Sequence, residues 1–274
     1  MRVAAVGECT IDRYVERGTE RVGGISLNFA VHALRAGAAS ASLVSCTGDD
    51  DAGARVRAAL AREGVDATHV AARPGRTASQ DIRLVAGGER IFPGGYDEGV
   101  LADFRLDDAA MAMLRSADII AVPYFRQVLP LVAPVHALRD VSALRVADLL
   151  DGADLGDAHG ALDALMDDLD ILFLSASMDD VEQLLPLSRG RRSVLVVTHG
   201  ASGSTALVNG AMTFTSAVRV PAAECIDSTG CGDAYQAAFS VAYAKDRDIP
   251  AAMRAGAARA ARVIRHLGAF ADER

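Results

Sequence analysis

The stretch DSTGCGDAY, residues 227–235, places a glycine-rich turn between two acids, directly before a helix predicted over Ala234–Lys245. The first N–H groups of a helix have no intrahelical partners, and the helix dipole makes that end positive. Glycine lets such a backbone approach an anion closely, so Gly230–Gly232 predicts a site for phosphate or another oxyanion. An ordinary charged first turn would also account for Asp233, so the surrounding sequence decides between the two interpretations.

Short apolar runs alternate with helical stretches along most of the chain. The runs are bounded by Gly, Asp or Ser and predict buried strands at Val3–Val6, Ala41–Cys46, Asp118–Val122, Leu144–Asp148, Asp170–Leu174 and Ser193–Thr198. Apolar residues at the helical period predict helices at Asn28–Arg35, Ala54–Arg62, Asp107–Arg115, Asp157–Asp168 and Ala251–Arg265. This alternation predicts an α/β fold with a mostly parallel central sheet covered by helices on both faces.

Two segments, residues 12–23 and 76–100, interrupt the alternation. The second contains two alternating runs, Ser79–Ala86 and Glu89–Phe92, and the two residues Gly87-Gly88 between them predict a hairpin turn. Together the segments predict a small antiparallel sheet, which is either a surface hairpin without a role or a lid. A lid would cover a site at the carboxyl ends of the parallel strands, where ligands of open α/β sheets bind.

Composition limits the class of protein. The 274 residues, 51% of them hydrophobic, suffice for one large α/β domain or two small ones, and the alternation favours a single domain over residues 1–274. A net charge of −8 argues against nucleic acid or an anionic membrane as the main partner. No apolar run approaches the ~20 residues of a membrane-spanning helix. Four cysteines without a C-x-x-C pair indicate reduced thiols, so a cytoplasmic location is expected.

Four motifs in order support a more specific interpretation. DSTGCGDAY resembles the D-T-x-G-A-G-D signature of the ribokinase family of carbohydrate kinases. Gly23–Asn28 is similar to the family's G-G-x-x-x-N segment, Cys46–Gly53 resembles its G-x-D-x-x-G turn, and Val197–Gly203 resembles its T-x-G-x-x-G nucleotide loop. These motifs span nearly the whole chain, and their order makes chance an inadequate explanation. The resemblance implies a ribokinase-like three-layer α/β sandwich.

The resemblance also implies roles for individual residues. Asp233 would be the base that accepts the proton of a sugar hydroxyl as it attacks the γ-phosphoryl group of ATP, and the N–H groups of Gly230, Cys231 and Gly232 would stabilise the charge that develops. ATP would contact Thr198, Gly200, Gly203, Asp227 and Thr229, and the sugar would contact Asp12, Gly24 and Asn28. Taken alone, Asp12 would be a solvated loop acid and the loop 198–203 an ordinary strand-to-turn connection.

Two departures from the family pattern affect the expected site. Many relatives carry N-x-x-E after the strand equivalent to Asp170–Leu174, where it helps hold Mg²⁺; this chain has Ser175–Asp180 there, which leaves Asp179 as the candidate metal residue. Mg²⁺ relies heavily on substrate phosphates, so ATP and Mg²⁺ remain the expected cofactors, with a monovalent cation such as K⁺ also implied. Cys231 replaces the usual Ala, and the helix N-terminus is expected to lower the pKa of its thiol.

The acceptor is suggested by further resemblance only. Residues 95–104, Ser175-Ala176 and 266–270 resemble the members of the family that phosphorylate a fructosamine such as fructoselysine at a primary hydroxyl, with Glu98 of the lid closing over the aminoacyl end. The alternatives are a kinase for another sugar or sugar acid (fructose, ribose or 2-keto-3-deoxygluconate) and an inactive ribokinase-like binding module. The resemblance also implies a homodimer formed through the lid.

Overall fold

The central sheet is built from the predicted apolar runs. The computed structural model describes residues 1–138, 141–153 and 158–271. Its strands are β1 Arg2–Val6, β2 Thr10–Tyr14, β3 Thr19–Gly23, β4 Ser40–Gly48, β5 Asp66–Arg73, β6 Ser79–Leu84, β7 Arg90–Ile91, β8 Ile119–Pro123, β9 Leu144–Asp148, β10 Ile171–Ser175, β11 Val194–Thr198, β12 Ser204–Val208 and β13 Ala211–Thr215. Within these ranges, nine of the strands form one sheet in the order β13-β12-β11-β10-β9-β8-β1-β4-β5. Pairing is parallel from β5 to β11, and β12 and β13 add an antiparallel edge.

Helices cover both faces of this sheet. They are α1 Ile25–Arg35, α2 Asp51–Glu63, α3 Asp108–Arg115, α4 Leu129–His136, α5 Ala158–Asp168, α6 Val181–Leu184, α7 Cys231–Asp246 and α8 Ile249–Val263. Successive residues of β1 point to opposite faces, as the pleat requires: Val3 belongs to the core shared with α1, α2, α7 and α8, and Ala4 to the core shared with α3 to α6. The three-layer α/β sandwich is therefore confirmed.

The lid is a separate small sheet of order β3-β2-β6-β7. β2 pairs antiparallel with β3 and parallel with β6, so the sheet is antiparallel only in its outer pairs. The predicted two-residue turn at Gly87-Gly88 is wrong. The N–H of Val85 donates to the carbonyl of Glu89 at 2.8 Å, which leaves three residues, Ala86–Gly88, in the turn.

Several elements were missed. β12 and β13 are joined by Asn209-Gly210, both with positive φ, which is one of the strongest hairpin signals in a sequence. Helix α4 carries Pro134 in its interior, which hid its helical pattern. The predicted helix ends are within three residues of the observed ones, and the predicted start of α5 at Asp157 lies outside the described residues.

The strand order determines where a ligand can bind. The chain runs from β1 outward through β4 to β5, and then returns to the other side of β1 with β8 and β9. The order reverses between β1 and β8, and the crevice outside the carboxyl ends of such strands is the usual ligand site. None of the helices in the described ranges has the length and apolar content needed to cross a membrane.

Candidate active site

Helix α7 begins at this crevice with the glycine turn. Gly230 adopts the left-handed conformation, with φ 79°, which favours glycine at this position. Among the described residues, the N–H groups of Gly230, Gly232 and Asp233 have no hydrogen-bond acceptor, so they remain available to an anion. The N–H of Cys231 was expected to stabilise charge on a phosphoryl group. It instead donates to the carbonyl of Ser228 at 3.1 Å and closes the turn.

Asp233 lies in the first turn of α7 and is buried. The side-chain amide of Asn28, on α1, donates to its Oδ2 at 2.7 Å. Burial first, and then the nearby carboxylate of Asp148, raise the pKa of Asp233 to about 7, against the opposing effects of Asn28 and Arg90. A carboxyl group that titrates near neutral pH is a much better base than an ordinary aspartate. The structure thus brings together two predicted residues, Asp233 and Asn28.

Two further acids at this site were missed by the sequence reasoning. Glu8 lies two residues after β1 and Asp148 ends β9, so both occupy the carboxyl ends of the parallel strands on either side of β8. Both are buried, and burial raises the pKa of Glu8 to about 8 and raises that of Asp148. The signal that would have found them is an acid that terminates a buried parallel strand, where such sheets place their ligand sites.

The predicted sugar contacts lie on the lid and on the entrance to α1. Asp12, on β2, is buried, accepts a hydrogen bond from the Thr10 hydroxyl at 3.0 Å, and has a pKa raised by burial to about 7. Gly24 has φ 106°, and a Cβ there would lie 2.8 Å from the backbone of Cys9, so only glycine fits. Glu98 lies half-buried just before the short turn Gly99–Leu101.

Asp227 and Thr229, predicted to contact ATP, lie beneath the glycine turn. The carboxylate of Asp227 is fully buried and accepts three hydrogen bonds: from the Tyr14 hydroxyl at 2.5 Å, from the Thr229 N–H at 2.8 Å and from the Gly268 N–H at 2.8 Å. These bonds tie a lid strand and the C-terminal segment to the start of α7. The geometry gives Asp227 a role in positioning the turn.

The predicted nucleotide loop follows β11. Thr198 ends that strand, and its hydroxyl lies 3.1 Å from the Ser175 hydroxyl at the end of the neighbouring β10. Gly200 has a positive φ and open space where a side chain would be. At Gly203 a Cβ would lie 2.3 Å from the carbonyl oxygen of Thr215, so this glycine is required by the close approach of β13. Contact of these residues with ATP stays a prediction.

The candidate metal residue, Asp179, lies away from any set of metal ligands among the described residues. In the described part of the chain, no group of three His, Cys, Asp or Glu side chains is arranged to hold a metal ion, and Asp179 is exposed on the loop after β10. This donor set fits only an ion that keeps waters and substrate phosphates as its main ligands.

The prediction that the helix N-terminus lowers the pKa of Cys231 is wrong: burial raises the pKa of its thiol to about 12 and outweighs the dipole.

Glu8 should make the stability of the protein depend on pH. Its folded pKa of about 8 exceeds its ordinary value of 4.5, so between these pH values the folded state holds a proton that the unfolded state has lost. The free energy of unfolding therefore falls as pH rises through this window, by on the order of 1 kcal/mol per pH unit for one such group. Glu8→Gln removes the titrating group, so urea unfolding at several pH values from 5 to 8 should give a shallower pH slope than in the parent.

The matched control is Glu16→Gln, since Glu16 is an exposed lid acid paired with Arg83. Its slope should equal that of the parent protein. An unchanged slope in Glu8→Gln would show that Glu8 is ionised in the folded protein throughout this range.

Known proteins resemble this chain over almost its whole length. The family model described as pfkB family carbohydrate kinase matches residues 2–149 and 162–273. A fructoselysine 6-kinase of Shigella flexneri is 31% identical over 272 residues, covering 98% of this chain and 99% of the relative. A fructosamine kinase of Bacillus subtilis is 27% identical over 279 residues, covering 98% and 93%.

Solved structures share the fold. A probable sugar kinase from Rhizobium etli superposes with a TM-score of 0.83 at 20% identity, covering 99% of this chain and 95% of that one. An E. coli protein described as a putative ribokinase II, in complex with ATP and Mg²⁺, superposes with a TM-score of 0.77 at 17% identity, covering 98% and 94%.

Proposed function

The chain belongs to the pfkB family of carbohydrate kinases, and we propose that it transfers the γ-phosphoryl group of ATP to a primary hydroxyl of a fructosamine such as fructoselysine. In this reaction the hydroxyl oxygen forms a bond to phosphorus, the bond from phosphorus to the ADP oxygen breaks, and the hydroxyl proton passes to Asp233. The pKa of about 7 at Asp233 leaves a substantial fraction of the group ionised at neutral pH. Asn28 fixes the direction of its carboxylate through the 2.7 Å hydrogen bond.

One observation carries the proposal that a polyhydroxylated molecule binds beside Asp233. Among the described residues, Asn28 Oδ1, Glu8 Oε2 and the Tyr96 hydroxyl are buried and have no hydrogen-bond partner. The charge of Asp233 raises the pKa of Glu8, and the charge of Glu8 raises the pKa of Tyr96, so these atoms belong to one neighbourhood. Buried polar atoms without partners are costly, and a sugar supplies hydroxyls that satisfy donors and acceptors alike.

The choice of a fructosamine rests on the relatives. The fructoselysine 6-kinase and the fructosamine kinase described above match nearly the full chain. Asp12 and Asn28 would bind sugar hydroxyls, and the lid near Glu98 would close over the aminoacyl end. A kinase for fructose, ribose or 2-keto-3-deoxygluconate remains the alternative to be tested.

ATP would be bound with Mg²⁺, as in the solved relative crystallised with both. The ion, when bound, neutralises charge on the phosphates. On this chain the open N–H groups of Gly230 and Gly232 would meet the transferred phosphoryl group. Thr198 and Gly200 would line the nucleotide site, and Asp179 is the candidate to hold a water of the ion. A need for K⁺ and pairing of two copies through the lid stay predictions.

The proposed acceptor is tested by specificity constants measured at saturating MgATP. The panel contains fructoselysine, other fructosamines, fructose, ribose and 2-keto-3-deoxygluconate. A fructosamine should have the highest kcat/KM, because a site built to pair polar groups discriminates against ligands that lack them. A preference for fructose or another simple sugar would refute the fructosamine assignment and leave the kinase activity standing.

Asp12→Ala should weaken acceptor use selectively. Losing a buried carboxylate that pairs with a sugar hydroxyl costs about 1–3 kcal/mol, which corresponds to roughly 5- to 150-fold in kcat/KM for the acceptor. The KM for ATP should change little, because Asp12 is expected on the acceptor side of Asp233. Initial rates measured against each substrate in turn give both values.

Asp81→Ala is the matched control on the same lid sheet. Asp81 pairs with Arg13, the neighbour of Asp12 on β2, and side chains of successive strand residues point to opposite faces. Asp81→Ala should leave kcat/KM for the acceptor and the KM for ATP unchanged. Equal acceptor kinetics in the Asp12 and Asp81 variants would remove Asp12 from the acceptor site.

A further inference from the structure

The tip of the lid hairpin rests directly on the segment that leads into the glycine turn. The N–H of Ser228 donates to the carbonyl of Gly88 at 2.8 Å. A Cβ at Gly88 would lie 3.0 Å from the backbone carbon of Ile226, so the two backbones are already in close contact. This contact brings β7, which begins at Arg90, to the entrance of α7.

Arg90 is held at this junction by its surroundings. Its Nη1 donates to the carbonyl oxygen of Ser228 at 3.0 Å, the same oxygen that accepts from Cys231 in the glycine turn. Its guanidinium also lies 5.7 Å from the ring centre of Phe92. Within the described residues, its remaining hydrogen-bond capacity is not taken by any carboxylate, since its polar contacts are to Ser228.

We infer that Arg90 binds the phosphoryl group during its transfer, as a lid-borne cation that completes the anion site of the glycine turn. This inference rests on the proposed function, because it takes the transferred group to be the γ-phosphoryl group of ATP. A phosphoryl group moving between two oxygens carries charge on its three peripheral oxygens, and a guanidinium presents several donors to such oxygens at once. Arg90 lies on the lid, so its full contact requires the lid to be closed.

The electrostatics of the site support this location. The positive charge of Arg90 lowers the pKa of Asp12, Asp148 and Asp233, and also that of Cys231 in the turn, against the larger raising effect of burial. One cation that acts on the lid acid, the strand-end acid and the base together lies among them. With its hydrogen bond to Ser228 at the glycine turn, this places Arg90 beside both the base and the N–H donors expected to meet the phosphoryl group.

A transition-state mimic tests this role without relying on turnover. ADP, Mg²⁺ and aluminium fluoride together imitate the transferring phosphoryl group, whereas ADP and Mg²⁺ alone do not. Calorimetry on the full chain should show that Arg90→Gln weakens binding of the aluminium fluoride complex by roughly 10- to 100-fold, as expected for lost charged hydrogen bonds, with ADP affinity within about threefold. Arg90→Lys keeps the positive charge but lacks the paired donors of a guanidinium. Its affinity for the aluminium fluoride complex should lie between those of the parent and Arg90→Gln.

Arg83→Gln is the matched control, since Arg83 lies on the adjacent strand β6 and pairs with the exposed Glu16. It should bind both ligands as the parent does. Equal binding of the aluminium fluoride complex by parent and Arg90→Gln would overturn the inference, as would an equal loss for ADP, which would make Arg90 only a latch for the lid. Failure of the fructosamine proposal would appear separately. Fructoselysine would then not be turned over, while Arg90→Gln would still bind the aluminium fluoride complex more weakly than the parent and ADP equally well.

Discussion

Asp233→Asn is expected to lower kcat by at least ~10²-fold, the usual loss for a missing acid–base group. The amide keeps the size and the hydrogen-bond acceptor that Asn28 needs, but it cannot take the proton of the acceptor hydroxyl. ATP affinity should stay close to that of the parent, because the contacts of Asp233 are with Asn28 and the nearby Asp148, on the expected acceptor side. Steady-state kinetics combined with calorimetric titration of ATP measure both quantities.

The pH profile distinguishes a base from a residue that only holds the structure. Asp233 must be ionised to accept a proton and its pKa is about 7, so kcat/KM of the parent should rise with pH through neutrality and then level off. The residual activity of Asp233→Asn should lack this rise. Asp246→Asn, at the other end of the same helix, is the control and should behave as the parent. Near-normal turnover in Asp233→Asn would exclude the catalytic role.

The buried strands and the glycine motif could be predicted because their determinants are local. A strand covered on both faces is continuously apolar, and β1 and β11 each have four buried apolar residues in five. Edge strand β5 has no fully buried residue and only a three-residue apolar run, so the pattern of a buried strand is absent from it. The hairpin of β12 and β13 did carry a signal, at Asn209-Gly210, and was overlooked.

The acid cluster and its cation depend on tertiary structure. Glu8, Asp12, Asp148 and Asp233 are distant in sequence and meet only because the sheet reverses its order beside β1 and the lid folds back over that edge. Arg90 contacts a residue 138 positions away. Short-range patterns contain no information about such pairs. The same holds for the pKa of Cys231, where burial, a property of the folded chain, outweighs the helix dipole that the sequence revealed.

Gly230→Ala is expected to cost both activity and stability, because two constraints meet at this residue. Its φ of 79° is unfavourable for a residue with a side chain by roughly 1–2 kcal/mol. A Cβ would also lie 2.4 Å from Ala269 Cβ and 2.6 Å from Ala269 Cα, which forces the turn or the C-terminal segment to move. Displacing the N–H donors should lower kcat by about 10²- to 10³-fold, the loss seen when one such donor is removed.

The C-terminal segment cannot retreat freely from the new methyl group. Arg259 donates to Nδ1 of His32 at 3.1 Å, so Nε2 of His32 carries its proton and donates to the carbonyl of Ala269 at 2.9 Å. The adjoining Gly268 N–H donates to Asp227 at 2.8 Å. Because these partners are buried, moving Ala269 breaks hydrogen bonds that water does not replace, and the turn is expected to shift instead.

Gly64→Ala isolates the backbone contribution from the steric one. Gly64 ends α2 with φ 74°, nearly the same conformation as Gly230, and a Cβ there meets nothing within 4 Å. Thermal unfolding should show a loss of roughly 1 kcal/mol for Gly64→Ala with normal kcat, and a larger loss for Gly230→Ala. Adding Ala269→Gly to Gly230→Ala removes the nearer clashing atom and should recover part of both losses, since neighbouring substitutions that share a contact are not additive. Gly230→Ala with parental kcat, or a double variant no better than the single one, would show that the clash with Ala269 does not displace the N–H donors of the turn.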